Sequence, residues 1–345
     1  MKLKYLFLSF VLIAFTGCDA DLDSLEGMPV FVDIDSGDAD FERFVAVGAS
    51  VTAGYTDNAL FQLGQMNSYP NIMAGVMAHA GGGNFTQPYM NDNVGGLLLF
   101  GNQIAGPRLF FNGAGPQPVS GSPTTEVSDI MSGPFSNLGV PGAQALHLLA
   151  PGYGSMAGLM IGQANPYYVR MASSDGGSII GDVMGQAPTF ITMLSGFSDA
   201  LASATDGATS VTMGTQAEFQ FALGTTMGAL SQLGPDGIIS NIPDVTNNAF
   251  FNTVGHDIVP LDAATAGMLN AGFAQYNGAL ALVAGFGFMT QSEAAARTIN
   301  FVEGMNALVI DDDALTTIDL TPLGIPLVLP KMRHATADDK ILLST

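Results

Sequence analysis

Cysteine occurs once in this chain, at position 18, and lysine and arginine together occur 9 times against 30 aspartates and glutamates. A single thiol closes no intrachain disulfide. The formal net charge of −21 repels nucleic acid and anionic lipid headgroups, which excludes a nucleic-acid partner. Histidine is nearly as scarce, with four in 345 residues, so any histidine chemistry has few sources. Only 11% of residues are charged, while glycine, alanine and methionine abound. That mixture suits a well-packed globule with long small-residue loops rather than a disordered chain. No internal repeat is present.

The first apolar stretch is short. Lys2 and Lys4 precede Tyr5 to Phe15, followed by Thr16-Gly17-Cys18, a secretory signal rather than a span, which needs about 20 residues. Its end resembles a bacterial lipobox with Cys18 as the lipidated residue. Residues 1–17 are thus expected as a lipoprotein signal peptide. Residues 18–40, acidic and without apolar periodicity, are expected as a tether holding the protein to the cell envelope by a lipid. Cleavage before Cys18 removes two lysines and no acid, leaving 7 basic residues against 30 acidic and a net charge of −23.

From residue 41 to 345 one α/β domain is expected. Helical spacing covers Gln65 to Ala80, Ala217 to Leu233 and Ala263 to Ala284, and apolar runs at Phe44–Val47, Thr189–Leu194, Ile238–Ile242 and Ala307–Ile310 read as strands. Strands alternating with helices imply a parallel sheet. Residues 81–134 read as a glycine-rich, irregular insertion with short apolar runs at Leu97–Phe100 and Leu109–Phe111. Each strand ends in a small or polar cluster: Gly48-Ala49-Ser50, Gly196-Phe197-Ser198-Asp199, Asn241-Ile242-Pro243-Asp244 and Asp311-Asp312-Asp313. Parallel strands would gather all four along one edge, where open α/β sheets bind ligands.

Ser50 is the candidate nucleophile. Phe44-Val45-Ala46-Val47 breaks abruptly into Gly48-Ala49-Ser50, then into Thr52-Ala53-Gly54, so a buried strand ends by presenting one hydroxyl. Acyl transfer from such a serine needs a base, a group orienting the base, and donors for the oxyanion. Backbone N–H groups after Ser50 and in Asn137-Leu138-Gly139-Val140-Pro141-Gly142 are candidate donors, because glycine lets backbone approach a ligand closely.

These residues carry a resemblance. Gly48-Ala49-Ser50-Val51-Thr52-Ala53-Gly54-Tyr55 resembles the first block of the SGNH (GDSL-type) hydrolases, the Asn137 to Gly142 run resembles their glycine block, and Leu194 to Asp199 resembles their Gly-x-Asn-Asp block. With the lipobox, Asn67-Ser68-Tyr69-Pro70 and Asn241 to Thr246, the chain is similar to lipase- or esterase-like bacterial lipoproteins of that family. The resemblance implies a flavodoxin-like three-layer α/β/α sandwich with a central parallel sheet. It also implies hydrolysis of small esters, lipids or acylated glycans outside the cytoplasm, with Ser50 as nucleophile, Gly139 and Ser198 at the oxyanion, and no metal or organic cofactor. Ala49 stands where the family has aspartate, and Ser198 where it has an asparagine whose amide donates.

The family's last block, Asp-x-x-His, is missing. Three residues before His79, His147, His256 and His334 stand Val76, Gln144, Thr253 and Lys331. His147 sits in an apolar helical patch and reads as packed or capping, and His256 as a surface residue beside Asp257. His334, near Asp338 and Asp339, is the remaining base candidate. The abrupt apolar stop at Lys340 to Thr345 raises the expectation that related chains continue into the missing block. The alternative is a non-catalytic surface lipoprotein binding glycan or lipid in the same crevice. The triplet Asp311-Asp312-Asp313 has the carboxylates of a calcium site, but acids scattered for solubility explain it as well.

Overall fold

The computed structural model describes residues 35–113, 115–207 and 214–342. The expected signal peptide, Cys18 and most of the expected tether lie outside them. The described chain divides into two compact units, residues 35–199 with 214–242, and residues 200–207 with 243–342. A single domain from residue 41 was expected.

The first unit begins with β1, Phe44–Gly48, buried along its whole length. The chain then makes a four-residue helix α1, Ser50–Ala53, and the helices α2, Gln62–Met66, and α3, Tyr69–Met77. One helix was expected here. It breaks at Asn67-Ser68 because Pro70 has no N–H to give the preceding turn and Ser68 is extended, with ψ at 147°. The glycine-rich insertion is more regular than its composition suggests. It forms two antiparallel hairpins, β2 (Leu97–Leu99) with β3 (Asn102–Ala105), and β4 (Leu109–Phe111) with β5 (Pro116–Pro118). Then follow β6, Asn137–Gly139, a 3-10 turn at Ala145–Leu148, α4, Met156–Met160, α5, Pro166–Val169, and α6, Ile179–Gly185. The unit closes with β7, Phe190–Leu194, the start of α7, Phe197–Thr205, then α8, Gln216–Ser231, and β8, Asp236–Ile239.

Four of these strands form one parallel sheet in the order β6-β1-β7-β8. Alternation of side chains puts Val45, Val47, Ile191 and Met193 into one core with Ile179, Val183 and Leu230, from α6 and α8. Phe44, Ala46 and Phe190 face a second core with Met77 of α3. Register sets Gly48 beside Gly139 and Leu194, and Met193 beside Ile239. The carboxyl ends of all four strands therefore lie along one edge, and three of the four expected clusters follow from it.

The fourth cluster does not. The expected strand at Ala307–Ile310 is β11, Val309–Asp311, of the second unit. It pairs antiparallel with β14, Met332–His334, and is no part of the parallel sheet. The second unit also contains β9, Val259–Leu261, and the helices α9, Ala263–Gly285, and α10, Gln291–Arg297. Its short ribbons are completed by β10, Gly304–Asn306, β12, Ile318–Asp319, and β13, Val328–Leu329. Its core joins Tyr276, Leu280 and Val283 of α9 to Ile299, Phe301 and Leu329.

Arg297, wholly buried, ties the second unit together. Its guanidinium donates to Glu293 Oε1 (3.3 Å), to the Thr316 carbonyl (3.0 Å) and to the Pro330 carbonyl (2.8 Å). Removing one member of such a buried set leaves the others desolvated and unpaired. Arg297→Met is expected to lower the free energy of unfolding by about 3–5 kcal/mol, measured by urea denaturation of variant and parent.

Candidate active site

The turn that presents Ser50 is fixed by close backbone approach. A Cβ on Gly48 would collide with the Thr52 side chain and the Leu194 carbonyl, and a Cβ on Gly139 would collide with the backbone of Thr52 and Ala53. Gly54 ends α1 in the left-handed region, with φ at 83°, and a Cβ there would strike the Gly64 backbone. The glycines of both sequence blocks thus let α1 lie directly against β6 and the end of β1.

Beneath α1 is a buried polar floor. Asn137, 2% exposed, donates from Nδ2 to the Thr52 carbonyl and to Gln87 Oε1, both at 2.9 Å, and its Oδ1 accepts from the Gly139 N–H at 2.9 Å. The Thr52 hydroxyl lies 3.3 Å from the Tyr69 hydroxyl, which donates to Thr192 at 3.5 Å. Both threonines are buried.

Ser50 itself is half-buried. Its Oγ accepts a hydrogen bond from the Gly142 N–H at 3.3 Å. Gly142 is exposed, with φ at 78° and open space where a Cβ would lie. A backbone donor therefore points at the hydroxyl from a loop with room in front of it. Gly139, the donor expected from sequence, has its N–H held by Asn137. The donor that reaches Ser50 is three residues further on, and the second glycine of Gly139-x-x-Gly142 was the signal that marked it.

Asp199 secures that loop. Its carboxylate is buried and accepts from the Ala145 N–H at 3.0 and 3.2 Å, fastening the turn that follows Gly142. Burial raises its pKa above the ordinary carboxylate value, against the lowering effect of the Ala145 and Asp199 N–H groups. Ser198 is buried beside it in the first turn of α7, and no hydrogen bond links it to Ser50 or Gly142 among the described residues. Gly196, with φ at 92°, packs against Ile242 and Phe219. This contact brings the end of β8 to the same edge. Val51, next to Ser50 in the chain, and Leu146, four residues after Gly142, are exposed.

Two histidines have ring nitrogens engaged by backbone. His147 Nδ1 accepts from the Gln144 N–H at 3.0 Å in a capping box and lies 3.2 Å from the Tyr153 hydroxyl, on whose ring it stacks at 4.6 Å. It is the capping histidine its surroundings suggest. An accepting Nδ1 assigns the proton of the neutral ring to Nε2, and burial lowers its pKa. His334 lies in the second unit. Its Nε2 lies 3.1 Å from both the nitrogen and the carbonyl oxygen of Asn300, and its Nδ1 3.2 Å from the Ala307 carbonyl, so both ring nitrogens are engaged by backbone of the second unit. Its ring also meets Phe301 edge-on at 5.1 Å. Among the described residues no histidine hydrogen-bonds to Ser50.

Two of the three aspartates of the triplet are engaged in ion pairs. Asp312 accepts from Arg333 at 2.6 Å, and Asp313 lies 3.9 Å from Lys331. Among the described residues no group of three or more histidines, cysteines, aspartates or glutamates is placed to hold a metal.

Compared with protein-family models, with curated proteins and with solved structures, the chain matches none.

Asp199 generates a prediction in which pH gives the sign. A carboxyl whose pKa is raised by folding makes its stabilising contribution in the protonated form and loses it as pH rises through the folded value, which here lies above 3.8. Asp199→Asn keeps an acceptor for Ala145 and removes the buried charge. Its stability advantage over the parent should be largest at neutral pH and narrow as pH falls toward 4, in paired urea titrations. Asp199→Ala, which orphans the Ala145 N–H, should cost about 1–3 kcal/mol near pH 4 and less at neutral pH, where it also removes the buried charge.

Proposed function

We propose that this chain is a serine ester hydrolase of the SGNH type, built on a flavodoxin-like α/β/α layout and acting outside the cytoplasm on acyl or acetyl esters of lipids, glycans or small molecules. The observation that carries the reading is the pairing of the half-buried Ser50 Oγ with the Gly142 N–H at the carboxyl edge of the parallel sheet. Lipidation at Cys18 would hold the protein to the bacterial envelope.

In this reading Ser50 Oγ attacks the ester carbonyl carbon and a general base takes its proton. The C=O electron pair moves onto oxygen, and collapse of the tetrahedral intermediate expels the alcohol. The acyl group remains on Ser50 until water removes it by the same route. Gly142 donates to the oxyanion once Oγ is committed to carbon. Such a donor contributes about 3 kcal/mol to the transition state, and the Ser198 hydroxyl is the second donor proposed. His334, the base candidate of the sequence, has its Nε2 against the Asn300 N–H in the second unit. That commitment, and the matching one at His147, favours the second reading, in which the same crevice binds glycan or lipid without cleaving it.

A fluorophosphonate probe with a short-chain nitrophenyl ester separates the two. Covalent labelling at Ser50, with hydrolysis reduced to background in Ser50→Ala, is the expected result. An unlabelled Ser50 together with saturable glycan or lipid binding that survives Ser50→Ala would establish the binding protein instead. If Ser198 donates to the oxyanion, Ser198→Ala lowers kcat by about 10²-fold with little change in KM. An unchanged kcat removes Ser198 from the oxyanion hole.

A further inference from the structure

The surface around Ser50 differs in charge from the rest of the chain. Despite 30 acids overall, residues 93–125 and 130–174 contain no aspartate or glutamate. These segments hold both hairpins, the Gly142 loop, α4 and α5. Of the acids beside these segments, Asp57 pairs with Arg108 at 3.9 Å and Asp129 is exposed, while Asp92 and Glu126 are turned onto the backbone of the hairpins. Asp92 accepts from the N–H groups of Val94, Gly95 and Thr124 (2.8 Å each), and Glu126 from those of Phe100 and Gly101 (2.9 Å each).

The same segments expose large apolar side chains at their tips. Phe100 is 61% exposed, Phe111 71%, Met160 62% and Ile161 69%. Phe100 occupies the tight turn between β2 and β3 with φ at 50°, followed by Gly101 at 76°. Asparagine or glycine fits that turn without strain and a bulky residue does not. Water gives no return for holding a phenyl ring there.

These tips stand on the floor that carries the nucleophile. Leu97, Leu99 and Ala105 of the β2–β3 hairpin pack in one cluster with Met156 and Leu159 of α4 and with Ala53 of α1. The second hairpin is tied to the loop just after α1, through Leu109 N–H to the Asp57 carbonyl at 2.7 Å and Arg108 over the Phe61 ring at 5.0 Å.

We propose that Phe100, Phe111 and the Met160-Ile161 end of α4 seat the first unit on an uncharged or zwitterionic lipid surface, so that Ser50 takes its ester from that surface. A lipid surface is favoured over a protein partner by charge. The acid-poor rim meets uncharged or zwitterionic headgroups without repulsion, whereas an anionic surface would repel the acidic chain as a whole. Exposed aromatic and aliphatic tips insert favourably at the acyl boundary. The seat rests on the geometry alone, and the substrate class rests also on the hydrolase reading.

The absence of tryptophan supplies the test. Phe111→Trp in the full chain introduces a single indole at the rim, and Phe286→Trp places one at an exposed site of the second unit, 78% exposed in the parent. With phosphatidylcholine vesicles brominated on their acyl chains, the indole at 111 should blue-shift and be quenched, and the indole at 286 should not. An indole at 111 that stays unquenched overturns the proposal. A blue shift that follows protein concentration without lipid also overturns it, in favour of a second copy of the chain. Because this readout needs no catalysis, it stands even if Ser50 proves unreactive.

For the substrate class, the triple variant Phe100→Ser/Phe111→Ser/Ile161→Ser should lose about tenfold or more in hydrolysis of a vesicle-borne long-chain ester and keep its rate on a soluble short-chain ester. Equal loss on both would mark the rim as merely structural and overturn the assignment.

Discussion

The side-chain amide of Asn137 is the constraint on which the site depends. From one buried position it holds the Thr52 carbonyl inside α1, Gln87 in the insertion ahead of its first hairpin, and the Gly139 N–H on its own strand. With Gly139 reduced to a hydrogen, α1 lies against β6 closely enough for these bonds to form. Any other side chain at either position separates the elements and strands polar groups away from water. Such groups cost about 1–3 kcal/mol each when left unpaired. The glycines therefore serve packing first, and the exposure of Ser50 follows from it.

Two strands of the sheet were legible because buried parallel strands are continuous apolar runs, and Phe44–Val47 and Thr189–Leu194 read as such. The run Ile238–Ile242 overlaps only the end of β8, Asp236–Ile239, which is an exposed strand, and β6 was not expected. The run at Ala307–Ile310 has the same local character, yet it belongs to an antiparallel ribbon of the second unit. Nothing in four apolar residues specifies their partner. The hairpins of the insertion were hidden for another reason. Their strands are three or four residues long, too short for alternation to show.

Site residues were legible to different degrees. Ser50 stood out by contrast with the apolar strand before it, and Asp199 was visible only as part of a block. Gly142 was passed over for Gly139 because both are glycines in one run, and only three-dimensional geometry tells which N–H has been taken by a neighbouring side chain. The histidines show the same limit. Neither Gln144 nor Asn300 carries any sequence signal that its backbone will engage an imidazole nitrogen.

The acid-free stretch around Ser50 also governs its core. Arg170, 2% exposed, is the only charged residue from 130 to 174 apart from whatever proton His147 carries. Among the described residues no carboxylate forms an ion pair with it, and only that of Asp129 acts on it from a distance. Its guanidinium donates to the Tyr89 carbonyl at 2.9 Å and contacts the sulfurs of Met90 and Met131 at 3.1 and 3.3 Å, leaving Nε without a partner. Burial lowers its pKa to about 10, so it remains a cation at neutral pH. It shares with Ala53 and Gly139 the wall of a small cavity. A carboxylate 4 Å away would attract it by about 4 kcal/mol at an effective dielectric of 20, more than a neutral carbonyl and two thioethers offer. An acid introduced nearby would therefore draw Arg170 out of this wall and loosen the support beneath α1. Keeping acids out of this stretch thus preserves the packing under the nucleophile as well as the neutrality of the rim above it.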